Sequence, residues 1–285
     1  MIKRQHGFTL VELMVSLVVS SFLVVGVVNI FTNFKNSYRA QGSLNTMMED
    51  SRYILELIGT EIRRIGFLRN RLLADEDAIF LTDNNVLGGN IDLLQGEHIK
   101  GGPDATFFGR VAFRYQVNDA TELSLINPNF NSSPCTQDLS LTAGEDPSVE
   151  THVVTMFLFV EFDNGLNAPA LKCASKRDNV SNPANSVISG AKILMPNVEG
   201  IRILYGEDTD GDNWTNHYLR EDKVGNWDNV VSIRLSFILA TGETNLSKTI
   251  PTYVYDGVTY TVSSPDDRRV YRVFSTTLAL RNLAL

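Results

Sequence analysis

Phe8-Thr-Leu-Val-Glu-Leu-Met-Val15 opens an almost unbroken apolar run that lasts to Phe31, and it follows a short polar stretch, Met1 to Gly7, that carries Lys3 and Arg4. This order decides the fold. As a helix, the 24 residues from Phe8 to Phe31 would span about 36 Å, enough to cross a hydrocarbon core of about 30 Å with some tilt. A secretory signal peptide places small residues and its cleavage site after the apolar stretch. Here Ala-x-Ala is missing, and the small residue at the polar-to-apolar junction is Gly7. The apolar segment is therefore expected to survive processing, with the basic leader held in the cytoplasm by the positive-inside bias.

Glu12 is the one charge inside that segment. A carboxylate at membrane depth needs a partner. Cleavage after Gly7 would leave a new amine on Phe8 at nearly the bilayer depth of a neighbouring chain's Glu12, and the two would neutralise each other during assembly. The plainer alternative is an incidental charge near the end of a membrane helix.

Gly7-Phe8-Thr9-Leu10-Val11-Glu12 followed by a long apolar helix resembles the prepilin signature of type IV pilins and type II secretion pseudopilins. The resemblance implies cleavage by a prepilin peptidase between Gly7 and Phe8, N-methylation of Phe8, and a role for Glu12 in subunit docking. Three further segments are similar to the PilW group of minor pilins: Glu56-Leu-Ile-Gly-Thr-Glu-Ile-Arg-Arg-Ile-Gly-Phe67, Ile203-Leu-Tyr-Gly-Glu-Asp-Thr-Asp-Gly-Asp212 and Tyr271-Arg-Val-Phe-Ser-Thr-Thr-Leu-Ala-Leu-Arg281.

At 285 residues, 43% hydrophobic and 20% charged, the chain has the composition of an ordinary folded protein. Its formal charge of -8 repels phosphates, which excludes nucleic acid as a partner. Cys135 and Cys173 lie in the part that a membrane anchor would place outside the cytoplasm, where disulfides persist. A bond between them is expected, two free buried thiols being the alternative.

After Asn29 the helical pattern turns amphipathic. Leu44, Met48, Ser51, Leu55, Ile58, Ile62 and Ile65 recur at spacings of four and three, a stripe that would pack on a globular domain. The helix from Phe8 to about Ile65 would measure roughly 85 Å, suited to a filament core, and Gly66 is its natural stop. The chain thus divides into a leader (1–7), a transmembrane helix (8–31), an amphipathic helix entering the domain (32–66), a loop-rich insert with short strands (67–150) and a β domain (151–285). In the β domain His152 to Phe162, Gly200 to Tyr205, Val230 to Leu239 and Val270 to Leu280 read as strands. The fold class is α+β and pilin-like: a long N-terminal helix against an antiparallel sheet.

Asp208-Thr-Asp-Gly-Asp-Asn213 is the candidate metal site. Asp208, Asp210 and Asp212 offer oxygens at alternate positions, which suits a hard cation such as calcium. No Glu closes the loop, and an acidic hairpin turn explains the same residues. The four histidines lack zinc spacing, and His6 would leave with the leader. The pairs Glu145/Asp146 and Asp266/Asp267 read as solvated surface. No phosphate loop, dinucleotide fingerprint, Gly-x-Ser-x-Gly or His-Glu-x-x-His occurs, so no enzyme is expected.

The expected role is a minor pilin anchored in the bacterial inner membrane with its C-terminal domain in the periplasm. It would prime type IV pilus assembly with other minor and major pilins and the inner-membrane platform, and could end at the pilus tip. A type II secretion pseudopilin has the same N-terminal physics. A membrane-anchored adhesin is the reading from a different class, motivated by the long insert and by Trp214 and Trp227.

Overall fold

The computed structural model describes residues 9–69, 79–103, 108–117, 134–139, 141, 145, 150–264 and 266–283. The leader, Gly7 and Phe8 lie outside them, as do His6 and Asp146.

One helix, α1 (Leu10–Ile62, 53 residues), leads the chain, and at about 1.5 Å per residue it is about 80 Å long. Thr9 is its N-cap and Arg63 its C-cap. Tight turns then carry the chain to Gly66, whose φ of +68° is a left-handed conformation that suits glycine at a helix end. A Cβ here would also sit 2.2 Å from Leu283, so the C-terminal segment packs directly over this stop.

The buried stripe of α1 is Met47, Ser51, Ile54, Ile58 and Ile62, continued by Ile65. This corrects the expected register at two positions. Met48 is exposed while Met47 is buried, and Ile54 takes the place of the half-buried Leu55. Both apolar neighbours satisfy a helical spacing, and the domain meets the face between them.

The β strands are β1 (Ile99–Gly102), β2 (Arg110–Gln116), β3 (His152–Asp163), β4 (Ala168–Asn179), β5 (Val187–Pro196), β6 (Val198–Glu207), β7 (His217–Leu219), β8 (Val230–Ala240), β9 (Thr252–Tyr255), β10 (Val258–Thr261) and β11 (Tyr271–Ala279). In place of a single sheet there are two main ones, a five-stranded β1-β2-β3-β4-β5 and a four-stranded β11-β8-β6-β7, with β9 and β10 as a separate hairpin. All strand pairs are antiparallel. Strands β1 and β2, which precede Glu150, pair into the same sheet as β3. The insert therefore supplies part of the framework.

One core unites the helix with both sheets. Met47, Ile54, Ile58 and Ile62 meet Phe113, Met156 and Leu171 from the five-stranded sheet and Ile201, Ile233 and Phe237 from the other. The hairpin has its own core, in which Tyr253, Tyr255 and Tyr260 cover Ile238, Ala240 and Tyr271 on the opposite face of β8 and β11.

Candidate functional site

Sixteen large apolar side chains between Leu10 and Phe31 are exposed, among them Leu10 at 76% and Phe22 at 75%. Burying a side chain of this kind gains roughly 1.5 to 3 kcal/mol, so the uncovered stem forgoes about 20 to 50 kcal/mol. That exceeds the whole stability of a typical domain, about 5 to 15 kcal/mol. The chain must therefore place this surface in lipid or against other helices. It is the one helix among the described residues long and apolar enough to cross a membrane.

Glu12 sits at the head of this stem, and locally it closes a capping box. Its Oε2 accepts hydrogen bonds from Thr9 N and Thr9 Oγ1, both at 3.0 Å, while Glu12 N donates to Thr9 Oγ1 at 3.3 Å. The reason is generic: the first N–H groups of any helix lack partners, and Thr at the cap with Glu three residues later satisfies two of them. A carboxylate in the first turn also complements the helix dipole. Glu12 is exposed, so in the isolated chain it is available to an incoming cation.

Further along, the stem meets the domain. Arg39 donates to Glu243, with Nη2 at 2.9 Å and Nε at 3.0 Å from Oε2. Behind this bridge lies a cleft of about 390 Å³ between α1 and the loops that follow β5 and β8, lined by Gly42, Thr46, Asp50, Asn197 and Thr241. Burial, together with the neighbouring Glu49, pushes the Asp50 carboxyl above its usual range.

Cys135 and Cys173 are joined in a disulfide. Along β4 the alternate residues 173, 175, 177 and 179 hold Cys135, Leu139 and Glu145. Ser175 Oγ donates to the Cys135 carbonyl, and Arg177 Nε donates to the Leu139 carbonyl at 3.2 Å. Arg177 also binds Glu145 in a fork, Nη1 to Oε1 and Nη2 to Oε2 both at 2.8 Å, and Asn179 Nδ2 donates to Glu145 Oε1 at 3.0 Å. The Arg177 and Glu145 side chains are both 0% exposed. Glu145 is thus no solvated surface acid, because a buried guanidinium draws it inward. Asp267 departs from expectation in the same way: burial pushes its carboxyl up, but hydrogen bonds from Arg269 and Tyr271 bring it down to about 2.

His152 completes the cluster. Its Nδ1 lies 2.9 Å from Arg177 Nη1, and since Arg177 can only donate, Nδ1 is the acceptor and the ring is neutral. Burial, then the Arg177 charge, lower its pKa. Glu145, Glu150 and His152 could between them offer ligand atoms to a metal, yet the guanidinium already supplies the positive charge there.

The structure brings Asp208, Asp210 and Asp212 together, with carboxylate oxygens within 4.8 Å of one another. Asp208 also braces its own loop with both oxygens. Its Oδ1 accepts from Asp210 N at 3.1 Å and Gly211 N at 2.7 Å, and its Oδ2 accepts from Asn213 N at 2.8 Å. Burial works against the charge, but these three N–H groups hold the Asp208 carboxyl below its usual range. The geometry is that of an acidic turn closed by its first aspartate. It stands at the end of β6 where Glu207 pairs with Val230, opposite the end where Val198 pairs with Leu239; at the same end β8 pairs through Ile233 with Leu278, which lies against Gly59 near the end of α1. Trp214, beside it, is 76% exposed, whereas Trp227 packs edge-on against Tyr205 with ring centroids 4.7 Å apart.

Arg177, Arg114 and Arg39 escape sequence reasoning, because an isolated arginine carries no motif. Arg114 donates to the carbonyls of Leu81, Leu94 and Glu97 and so organises the loop before β1. The available signal was the period-two run Cys173, Ser175, Arg177, Asn179, whose polar members flank an expected disulfide.

Two protein families match the chain. Type IV Pilus-assembly protein W matches residues 158–282, and the Prokaryotic N-terminal methylation motif matches residues 2–28. Comparison with curated proteins and with solved structures gives no match. The two matches are consistent with a PilW-type minor pilin and support a pilin related to the type IV pilus.

Proposed function

We propose that the chain is a minor pilin that takes part in type IV pilus assembly, priming polymerisation with other pilins at the inner membrane. The observation that carries this reading is the exposed apolar stem, headed by Glu12 and running without a break into a two-sheet domain. A prepilin peptidase cuts between Gly7 and Phe8, Phe8 is N-methylated, and the domain stands in the periplasm. Before assembly α1 lies in lipid; afterwards the same apolar surface lies against neighbouring helices.

Glu12 is the docking residue in this scheme. While the subunit waits in the membrane its carboxylate is engaged by Thr9. An incoming Phe8 ammonium adds a full positive charge to what Thr9 supplies as dipoles, and at membrane depth, where water screens little, the ion pair is the stronger attraction. The acidic turn and Trp214 lie at the end of the domain away from the exposed apolar segment of α1, which is where a subunit at the pilus tip would present a contact surface.

Mass spectrometry of the mature protein tests the processing step, with N-methylphenylalanine from Phe8 as the expected N-terminus; an uncut leader would overturn it. Incorporation of Glu12→Ala into sheared pili tests docking. A sharp fall with normal membrane levels is expected, and normal incorporation would remove the role assigned to Glu12.

A further inference from the structure

Contacts at both ends of the domain fix how it sits along the stem. At one end Leu278 packs against Gly59, and Asn282 bonds the carbonyls of Arg63 and Ile65. At the other, Glu243 bonds Arg39. Strand β8 links the two ends, from Val231, whose carbonyl accepts from Leu280 N at 2.8 Å, to Ala240. Its 11 residues cover about 36 Å, and the helix from Arg39 to Ile62 covers about 35 Å. The two run antiparallel over their shared length. The loop 241–251 is therefore the end of the domain that faces the bilayer.

The height of that loop follows from the helix. Arg39 lies about 12 Å along the axis beyond Phe31 and about 7.5 Å beyond Phe34. The headgroup layer on each side of the hydrocarbon core is about 5 to 8 Å thick, so the Arg39–Glu243 bridge stands at its outer boundary when counted from Phe34 and a few Å above it when counted from Phe31. Chemistry fits the place. Between Glu12 and Glu49 the helix carries two charges, Lys35 and Arg39, both cationic. After Glu243, which Arg39 engages, the loop has a single charge, Lys248. Lys248 is exposed, as is Ile250 at 42%.

We infer that the loop 241–251 is a membrane-contact rim, with Lys248 and Lys35 on phosphates of anionic phospholipids in the leaflet that α1 leaves, and Ile250 set among the headgroups. This rests on the membrane-anchored reading above. Anionic surfaces attract nearby basic residues, and isoleucine gains by leaving water. The rim gives the waiting subunit a second attachment, which holds the domain at a fixed height until assembly lifts the subunit out.

Both native cysteines are bonded, so an introduced cysteine is the one thiol available to a spin label. The full chain is reconstituted in vesicles of phosphatidylcholine and phosphatidylglycerol doped with a nickel-chelating lipid, and labels at I250C, W214C and V24C are compared. The label at I250C is expected to relax several-fold faster with headgroup nickel than the label at W214C, and the K35Q/K248Q pair is expected to reduce that difference. Equal relaxation at I250C and W214C, with V24C accessible to oxygen in the bilayer, would overturn the rim while leaving the anchor intact. A water-exposed V24C would overturn the anchor itself. A difference seen only when several copies share a vesicle would assign the loop to a neighbouring subunit and overturn the lipid assignment.

Discussion

Asn282 closes the last turn of α1 from the other end of the chain, its side-chain amide donating to the Arg63 carbonyl at 2.9 Å and the Ile65 carbonyl at 3.1 Å. The final carbonyls of a helix have no partner within it, and Arg63 closes this one without a side-chain cap. Hydrogen bonds of this kind contribute about 1 kcal/mol each. Asn282→Ala is expected to lower stability by about 1 to 2 kcal/mol, read as the urea midpoint of the full chain in detergent. An unchanged midpoint would show that water replaces the amide without loss.

The disulfide closes a separation of 38 residues, which in the chain-entropy account stabilises by about 4 kcal/mol. Cys135→Ser with Cys173→Ser is expected to lower the thermal midpoint markedly, and reduction of the wild type should reproduce the loss. Reduction without effect would mean that Ser175 and Arg177 hold Cys135, Leu139 and Glu145 in place by themselves.

Arg177 and Glu145 form a pair with no solvent access, so removing one partner strands a buried charge. Arg177→Met alone is expected to cost about 3 to 5 kcal/mol. Combining it with Glu145→Leu should recover most of that, since a buried pair is often replaceable by well-packed apolar groups. If the double variant were as unstable as the single, the pair would be stabilising in its own right.

His152 sets a pH dependence whose sign is fixed by its surroundings. Burial and the Arg177 charge lower its folded-state pKa, with Glu145 and Glu150 opposing and Arg69 assisting. The unfolded chain therefore binds a proton first, at the ordinary histidine value of about 6.5. Stability is complete above that value and falls as the pH drops below it towards the folded-state pKa. His152→Gln is expected to flatten the unfolding free energy over that acidic window. A wild-type stability that rises on acidification there would contradict the neutral ring.

Much of this was legible in the sequence for a physical reason: the helix and the strands β3, β6, β8 and β11 bury apolar side chains with a helical or alternating period, and hydropathy reports that. Strands β4 and β5 were not legible. Residues 173, 175, 177 and 179 on one face of β4 are polar or sulfur-bearing yet buried, because Cys135, Leu139 and Glu145 lie against them. Strand β5 is a sheet edge, with Gly190 and Ala191 exposed and Ile188 69% exposed. The disulfide followed from compartment alone. The role of Asp208 did not, since alternating aspartates look the same whether their oxygens face a cation or their own backbone.

That distinction at Asp208 is measurable. Because its oxygens are engaged by Asp210, Gly211 and Asn213, Asp208→Ala is expected to lower the melting temperature equally in calcium and in chelator. A calcium-dependent rise in the wild type that the variant abolishes would instead assign the three aspartates to a metal site.

The central claim, that this is a pilin required to start type IV pili, is tested most directly by counting surface pili by electron microscopy in cells lacking the protein, with secreted enzymes assayed alongside. Loss of pili with normal secretion, reversed by the wild-type chain, is the expected result. Normal pili with exoproteins retained in the periplasm would contradict the claim and assign the protein to type II secretion.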